Sequence, residues 1–215
     1  MQIKGIIFDL DGVLVFTDKF HYQAWKQIAN NLGVYFDEKI NNRLRGISRM
    51  DSLDIILENY HGIPLSDKTK LELAEEKNSK YLKLLQEMTP DDVSEEIRNT
   101  LYILRENGFK LAIGSSSKNA KLILDRVNLL NFFDAISDGN NITYSKPNPE
   151  VFEKASHFLH LQPQECIVVE DAEAGIDAAL AGKMHPIAIG NAVFCHKAEY
   201  NIQKLSDLLT LLKIK

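Results

Sequence analysis

The chain has 215 residues, a formal net charge of −5, and 45% hydrophobic against 26% charged residues, the profile of a globular protein long enough for one sizeable core or two small ones. No apolar run approaches the ~18 residues that span a bilayer, no basic-then-apolar leader opens the chain, and no block of Lys or Arg marks a nucleic-acid surface. The two cysteines, Cys166 and Cys195, sit in no metal-like spacing, which points to a reducing, cytoplasmic setting.

The first element is a strand. Ile3, Ile6, Ile7 and Phe8 form a β-branched and aromatic run that reads as buried on both faces, and it ends in Asp9-Leu10-Asp11-Gly12. Side chains at i and i+2 share one face of a strand, so the two carboxylates can converge where the strand stops. Gly12 allows the backbone a tight departure, although an acidic turn would look the same from these four residues alone. Helical patterns then run from about Asp18 to Met88. Phe20, Ala24, Ile28 and Leu32 make one stripe that stops at Gly33. Ser52, Ile55, Ile56 and Asn59 make a second ending near Gly62, and Ser66 is placed as the N-cap of a third, longer helix reaching Met88.

From Val93 onward, strands and helices alternate. A helix over Val93–Asn107 ends at Gly108, FKLAIGS is a buried strand, a helix starts at Lys118, and FDAIS is a short strand. A helix from Pro149 to about Leu159 follows, then the strand ECIVVED, in which Cys166 reads as core. A helix over Ala172–Ala181, the strand HPIAIG and a last helix over Ile202–Leu212 complete the chain. This alternation predicts right-handed βαβ units, hence an α/β, Rossmann-like parallel sheet with helices on both faces. The first strand belongs to that sheet, so the helical block is an insertion after it. Residues 1–16 and 90–215 then make the core domain and 17–89 a small all-helical cap, joined near Val15–Thr17 and Thr89–Asp92.

Open parallel sheets bind ligands beyond the carboxyl ends of their strands. Four polar signals fall there: Asp9 and Asp11, Ser115 and Ser116, Lys146 in SKPNP, and Glu170 with Asp171. Carboxylates gathered at one rim repel each other unless a cation sits among them, and an oxygen-only ligand set beside phosphate suits Mg²⁺. Ser115 and Lys146 can orient phosphate oxygens, Asp9 can attack phosphorus, and Asp11 can move the proton.

The motifs FDLDGVL, IGSSS, SKPNP and VVEDAEAGIDAA, in that order, resemble the four motifs of the haloacid dehalogenase superfamily, and the helical block resembles its small cap. Within it, FHYQAW, GISRMDSL, EEKNSKY and SSSKN resemble the sugar-phosphate mutase branch. The resemblance implies Asp9 as nucleophile, Asp11 as general acid/base, and Mg²⁺ held by Asp9, Glu170, Asp171 and the backbone carbonyl of Asp11. It implies that Ser115, Ser116 and Lys146 grip the transferring phosphoryl group, while Arg49, Ser117 and Asn119 hold phosphate at the far end of the sugar. Thr17 and His21 would support Asp11 and couple it to cap closure, and Trp25, Gly46, Ser52 and Lys77 would line the sugar pocket. For His21 and Trp25, a packed place on an apolar helix face competes with that role, and Lys77 in a charged helix would ordinarily be surface.

One departure stands out: the superfamily's acidic residue in DGxxxD is Phe16 here, with Asp18 as a candidate replacement cap. The implied activity is an isomerase moving phosphate between C1 and C6 of a β-hexose through a bisphosphate, in a monomer with no membrane or nucleic-acid partner. The alternatives are an Mg²⁺-dependent phosphatase acting on a small sugar phosphate and a silent binding domain, against which the full set Asp9, Asp11, Lys146 and Asp171 argues.

Overall fold

The structure, a computed structural model, describes residues 2–214. Among these residues, six strands form one sheet: β1 (Gly5–Phe8), β2 (Lys110–Gly114), β3 (Ala135–Ser137), β4 (Cys166–Glu170), β5 (His185–Ala188) and β6 (Tyr200–Asn201). Their order is β3-β2-β1-β4-β5-β6, and every neighbouring pair is parallel. The chain builds outward from β1 on one side and then crosses to build β4 to β6 on the other. The reversal falls between β1 and β4, where a parallel sheet opens a crevice at its carboxyl end. Phe8 pairs with Val169 there, and the Asp9 amide donates to the Val169 carbonyl at 2.9 Å. That register delivers Asp9 beside Glu170 and Asp171.

Alternation along β1 explains why the strand is apolar throughout. Ile6 and Phe8 pack into one core with Leu111, Ile113, Leu101 and Leu208, while Ile7 enters the other with Val151, Phe152, Val168 and Ala179. Helices cover both faces: α5 (Glu95–Glu106), α6 (Ala120–Arg126) and α9 (Asp207–Leu211) on the first, α7 (Glu150–Phe158) and α8 (Glu173–Ala181) on the second. Cys166 is fully buried.

Between β1 and β2 lie α1 (Asp18–Asn31), α2 (Glu38–Asn42), α3 (Arg49–Leu57) and α4 (Asp67–Leu85). Trp25, Ile28, Phe36, Leu53, Ile56 and Ala74 give these helices a core of their own. Ser66 caps α4 by accepting the Thr69 amide at 3.2 Å. The α-helix stops at Leu85 rather than Met88 because the chain tightens into i→i+3 bonds, ending with Met88 N–H to the Leu85 carbonyl.

The last helix is shorter than its pattern. Ile202 continues the β6 pairing through the Ala188 carbonyl, and the Asp207 carboxylate takes the Gln203 and Lys204 amides, making a turn where a helix was expected. The strand β6 itself is two exposed residues with no apolar run to announce it.

Candidate active site

The floor of the site is set by strand ends. Asp9 follows β1, Ser115 follows β2, Glu170 ends β4 with Asp171 next, and Lys146 arrives from the segment after β3. All five are buried. Lys146 Nζ donates to Asp9 Oδ1 and Glu170 Oε1 at 2.6 Å each, while Glu170 also accepts the Ala172 amide at 2.8 Å. Burial works against a charged Lys146, but Asp9 and Glu170 outweigh it and hold the ammonium above its usual range.

Asp9, Glu170 and Asp171 each offer an oxygen within 4.8 Å of the others. Burial pushes the carboxyls of Glu170 and Asp171 up; at Glu170 the Lys146 ammonium opposes it and Asp9 adds to it, and at Asp171 both Glu170 and Asp9 add to it. Lys146 and, from the helical insertion, Arg45 bring two positive charges to three carboxylates, and an all-oxygen set of this kind fits a hard divalent cation. Gly12, at φ +88°, lies so close to Asp171 that a side chain there would collide with the carboxylate.

Asp11 stands apart from that cluster. Its Oδ1 accepts from the Thr17 hydroxyl, which in turn accepts from Tyr81 Oη at 3.2 Å. Its side chain supplies no oxygen to the carboxylate group, leaving the backbone carbonyl for the metal contact the motif implies. Burial and then the Asp9 carboxylate push the Asp11 carboxyl up to about 7, against the Thr17 hydrogen bond.

Thr17 sits at the N-cap of α1 but makes no side-chain cap, because its hydroxyl is committed to Asp11. Asp18 does not cap the helix either. It is the first helical residue and pairs with Arg45, while Phe16 is exposed to solvent.

The cap supplies the opposite wall. Every residue singled out from sequence lines one cleft of about 1110 Å³ except Thr17 and Glu170, which are fully buried. Lys77 is not on the surface: it is 3% exposed, bonds His21 Nδ1 at 2.9 Å and lies over the rings of Tyr81 and Trp25 at 4.4 and 5.1 Å. Burial, then Arg49, lowers the Lys77 ammonium to about 7. Burial, then Lys77, holds His21 well below its ordinary value, so a neutral imidazole faces the lysine. Trp25 serves the cap core and the cleft wall together.

Arg49 bonds Glu75 Oε1 and Asn78 Oδ1, both at 2.8 Å, and Asn119 Nδ2 reaches the same Asn78 oxygen at 3.0 Å. A donor from the helical insertion and one from the segment after β2 thus converge on one acceptor. Ser117 Oγ accepts the Asn119 amide at 3.1 Å. Ser116 Oγ donates to the Gly46 carbonyl at 3.0 Å, a tie between core and cap, and Ser52 Oγ turns back to the Ser48 carbonyl at 2.8 Å.

Sequence reasoning misses Arg45, Glu75, Asn78 and Tyr81, and offers Asp18 only as a candidate helix cap. Helical spacing holds a signal for three of them, since Glu75 and Asn78 stand at i, i+3 and Tyr81 lies one turn beyond Lys77.

A family model described as haloacid dehalogenase-like hydrolase matches residues 3–183. A β-phosphoglucomutase of Bacillus subtilis (strain 168) is 37% identical over 208 residues, which is 96% of this chain and 92% of the relative. The crystal structure of a β-phosphoglucomutase from Clostridium difficile matches with a TM-score of 0.90 at 38% identity, over 96% of this chain and 93% of that one. A phosphorylated carbohydrates phosphatase of Thermotoga maritima is 26% identical, over 98% of this chain and 99% of the relative.

Proposed function

The chain belongs to the haloacid dehalogenase-like hydrolase family, and from that premise we propose that it is a β-phosphoglucomutase, interconverting β-D-glucose 1-phosphate and glucose 6-phosphate through a bisphosphate. Its likeness to mutases over nearly the whole chain supports this. The observation that carries it is that two sets of hydrogen-bond donors line one cleft, Lys146 with Ser115 on the floor and Arg49 with Asn119 at the cap boundary, and each set would hold one phosphate of a bisphosphate. A phosphatase needs only the first set and access for water. A mutase must hold both phosphates and exclude water while the intermediate turns round, which a closing cap can do.

Asp9 carries the phosphoryl group as an aspartyl phosphate. The C6 hydroxyl of the 1-phosphate attacks that phosphorus, Asp11 takes the hydroxyl proton, and the P–O bond to Asp9 breaks, giving the bisphosphate and a free Asp9 carboxylate. After the bisphosphate reorients, Asp9 attacks the C1 phosphate. The bond from phosphorus to the C1 oxygen breaks, and Asp11 returns its proton to that oxygen. A carboxyl raised to about 7 suits both halves of this proton shuttle. Lys146 holds Asp9 with one oxygen engaged at 2.6 Å, and Thr17 fixes Asp11. Asp9, Glu170, Asp171 and the Asp11 carbonyl would hold Mg²⁺, which when bound neutralises phosphoryl oxygens. A cytoplasmic setting agrees with this chemistry, and among the described residues no helix is long and apolar enough to cross a membrane.

The test is a product ratio. With β-glucose 1-phosphate, Mg²⁺ and a trace of bisphosphate, glucose 6-phosphate should form far faster than free phosphate. Phosphate release that matches or exceeds isomerisation would make the protein a phosphatase on the same scaffold.

A further inference from the structure

Arg45 belongs to the cap, in the loop between α2 and α3, yet its Nη1 reaches Asp171 Oδ2 across the cleft at 2.9 Å. Its Nη2 pairs with Asp18 at the start of α1. Lys146 serves Asp9 and Glu170, so among the described residues Arg45 is the cation that answers the third carboxylate. Asp171 is 4% exposed as a residue and the Arg45 side chain 22% exposed, a setting in which bulk water screens the contact only in part. The neighbouring Gly46, at φ +75°, holds the second tie of this loop, its carbonyl on Ser116 Oγ.

We propose that Arg45 is a metal-responsive latch: the guanidinium and the divalent ion compete for Asp171, so that loading the ion loosens the cap from the core. This rests on the metal site proposed above and adds a residue and a direction of coupling to it. The physical basis is charge. A doubly charged ion among Asp9, Glu170 and Asp171 balances the carboxylate that Arg45 answers, and it repels a guanidinium held on the same group. Coupling of this kind is reciprocal, so whatever releases Arg45 tightens the ion, and the ion weakens Arg45's hold. Asp18 offers the displaced guanidinium a partner within the cap. Metal loading then leaves Gly46–Ser116 as the remaining hydrogen bond from this loop to the core, and the cleft opens more readily to a sugar phosphate.

Calorimetric titration of Mg²⁺ into the full chain without sugar phosphate tests the latch. Arg45→Gln keeps polarity without charge and should bind Mg²⁺ about fivefold tighter or more, the lower end of typical site-to-site coupling. Arg45→Lys should stay near the wild type, which separates charge from disturbed folding. Asp18→Asn should shift affinity the other way, because Arg45 then has Asp171 alone. Amide exchange over residues 43–48 should quicken on adding Mg²⁺ to the wild type and be unmoved by it in Arg45→Gln. Equal or weaker Mg²⁺ binding by Arg45→Gln, or exchange in the wild type that ignores Mg²⁺, overturns the latch. A wild-type chain that binds no Mg²⁺ overturns the metal site itself, a result distinct from either.

Discussion

The two walls of the cleft are built differently. On the floor, Asp9, Ser115, Glu170 and Asp171 leave the sheet at or next to the last residues of adjacent strands, and strand register fixes their spacing. On the cap, Arg45, Arg49, His21 and Lys77 project from helices and one loop, and their partners are mostly other cap side chains. The floor is therefore organised before any ligand arrives, as charge stabilisation at a reacting centre requires. The cap wall holds Arg49 on internal stand-ins, Glu75 and Asn78, which a ligand must displace. On the proposed function, chemistry belongs to the floor and selection to the cap.

That division is broken most directly at Asp9. Asp9→Ala removes the carboxylate proposed to carry the phosphoryl group, so turnover should fall further than the ~10²–10⁴ credited to acid–base catalysis alone. Retention of a tenth of wild-type turnover by the purified, folded variant would remove Asp9 from that role. Asp11→Asn should cost about 10²–10⁴ in turnover while the variant still binds Mg²⁺ and sugar phosphate, because shape and backbone carbonyl remain. Loss of binding together with turnover would make Asp11 structural instead.

The same division explains what could be read from the sequence. The apolar strands ending in Asp9, Gly114-Ser115 and Glu170-Asp171 announce both sheet and rim, because strand periodicity and a parallel topology leave those residues one place to go. Lys146 was legible only as a member of that set. The cap had helical periodicity but no equivalent rule for its polar face: a lysine or arginine on a helix reads as solvated until a facing element is known. Arg49 and Lys77 were reached through family resemblance, and Arg45 was missed, since its partner Asp171 lies 126 residues away. Asp18 reads from sequence as a candidate helix cap because capping is local, whereas its ion pair with Arg45 is tertiary. The shortfall at Ile202–Ser206 has a similar cause, an Asp207 side chain that competes for backbone amides.

Arg49→Ala sharpens the comparison from the cap side. Loss of a charged hydrogen-bonding partner for the distal phosphate should cost about 1.5–3 kcal/mol, roughly ten- to a hundredfold in isomerisation. Hydrolysis of the phosphoenzyme, which uses only the floor, should change far less. Equal losses in both, measured as glucose 6-phosphate and free phosphate in one assay, would show that the cap arginine acts on the floor chemistry and that the division fails.

The smallest effect concerns Lys77, the one cap cation buried as deeply as the floor. Burial and Arg49 lower its ammonium from 10.5 to about 7 in the folded chain. Below pH 7 the folded and unfolded chains both carry the proton, and the penalty for burying the charge is constant. Between pH 7 and 10.5 the unfolded chain holds a proton that the folded chain has released, so raising the pH draws protons from the unfolded state and folding is favoured. Lys77→Met, which keeps the length and loses the titrating group, should lack this gain. Urea unfolding of both proteins at pH 7 and pH 9 should show the wild type gaining on the variant by at most about 1.4 kcal/mol per pH unit. Parallel pH profiles would mean that Lys77 keeps its proton in the folded chain, with the Tyr81 and Trp25 rings and Asp11 compensating its burial. The cap would then hold a permanent charge, as the floor does.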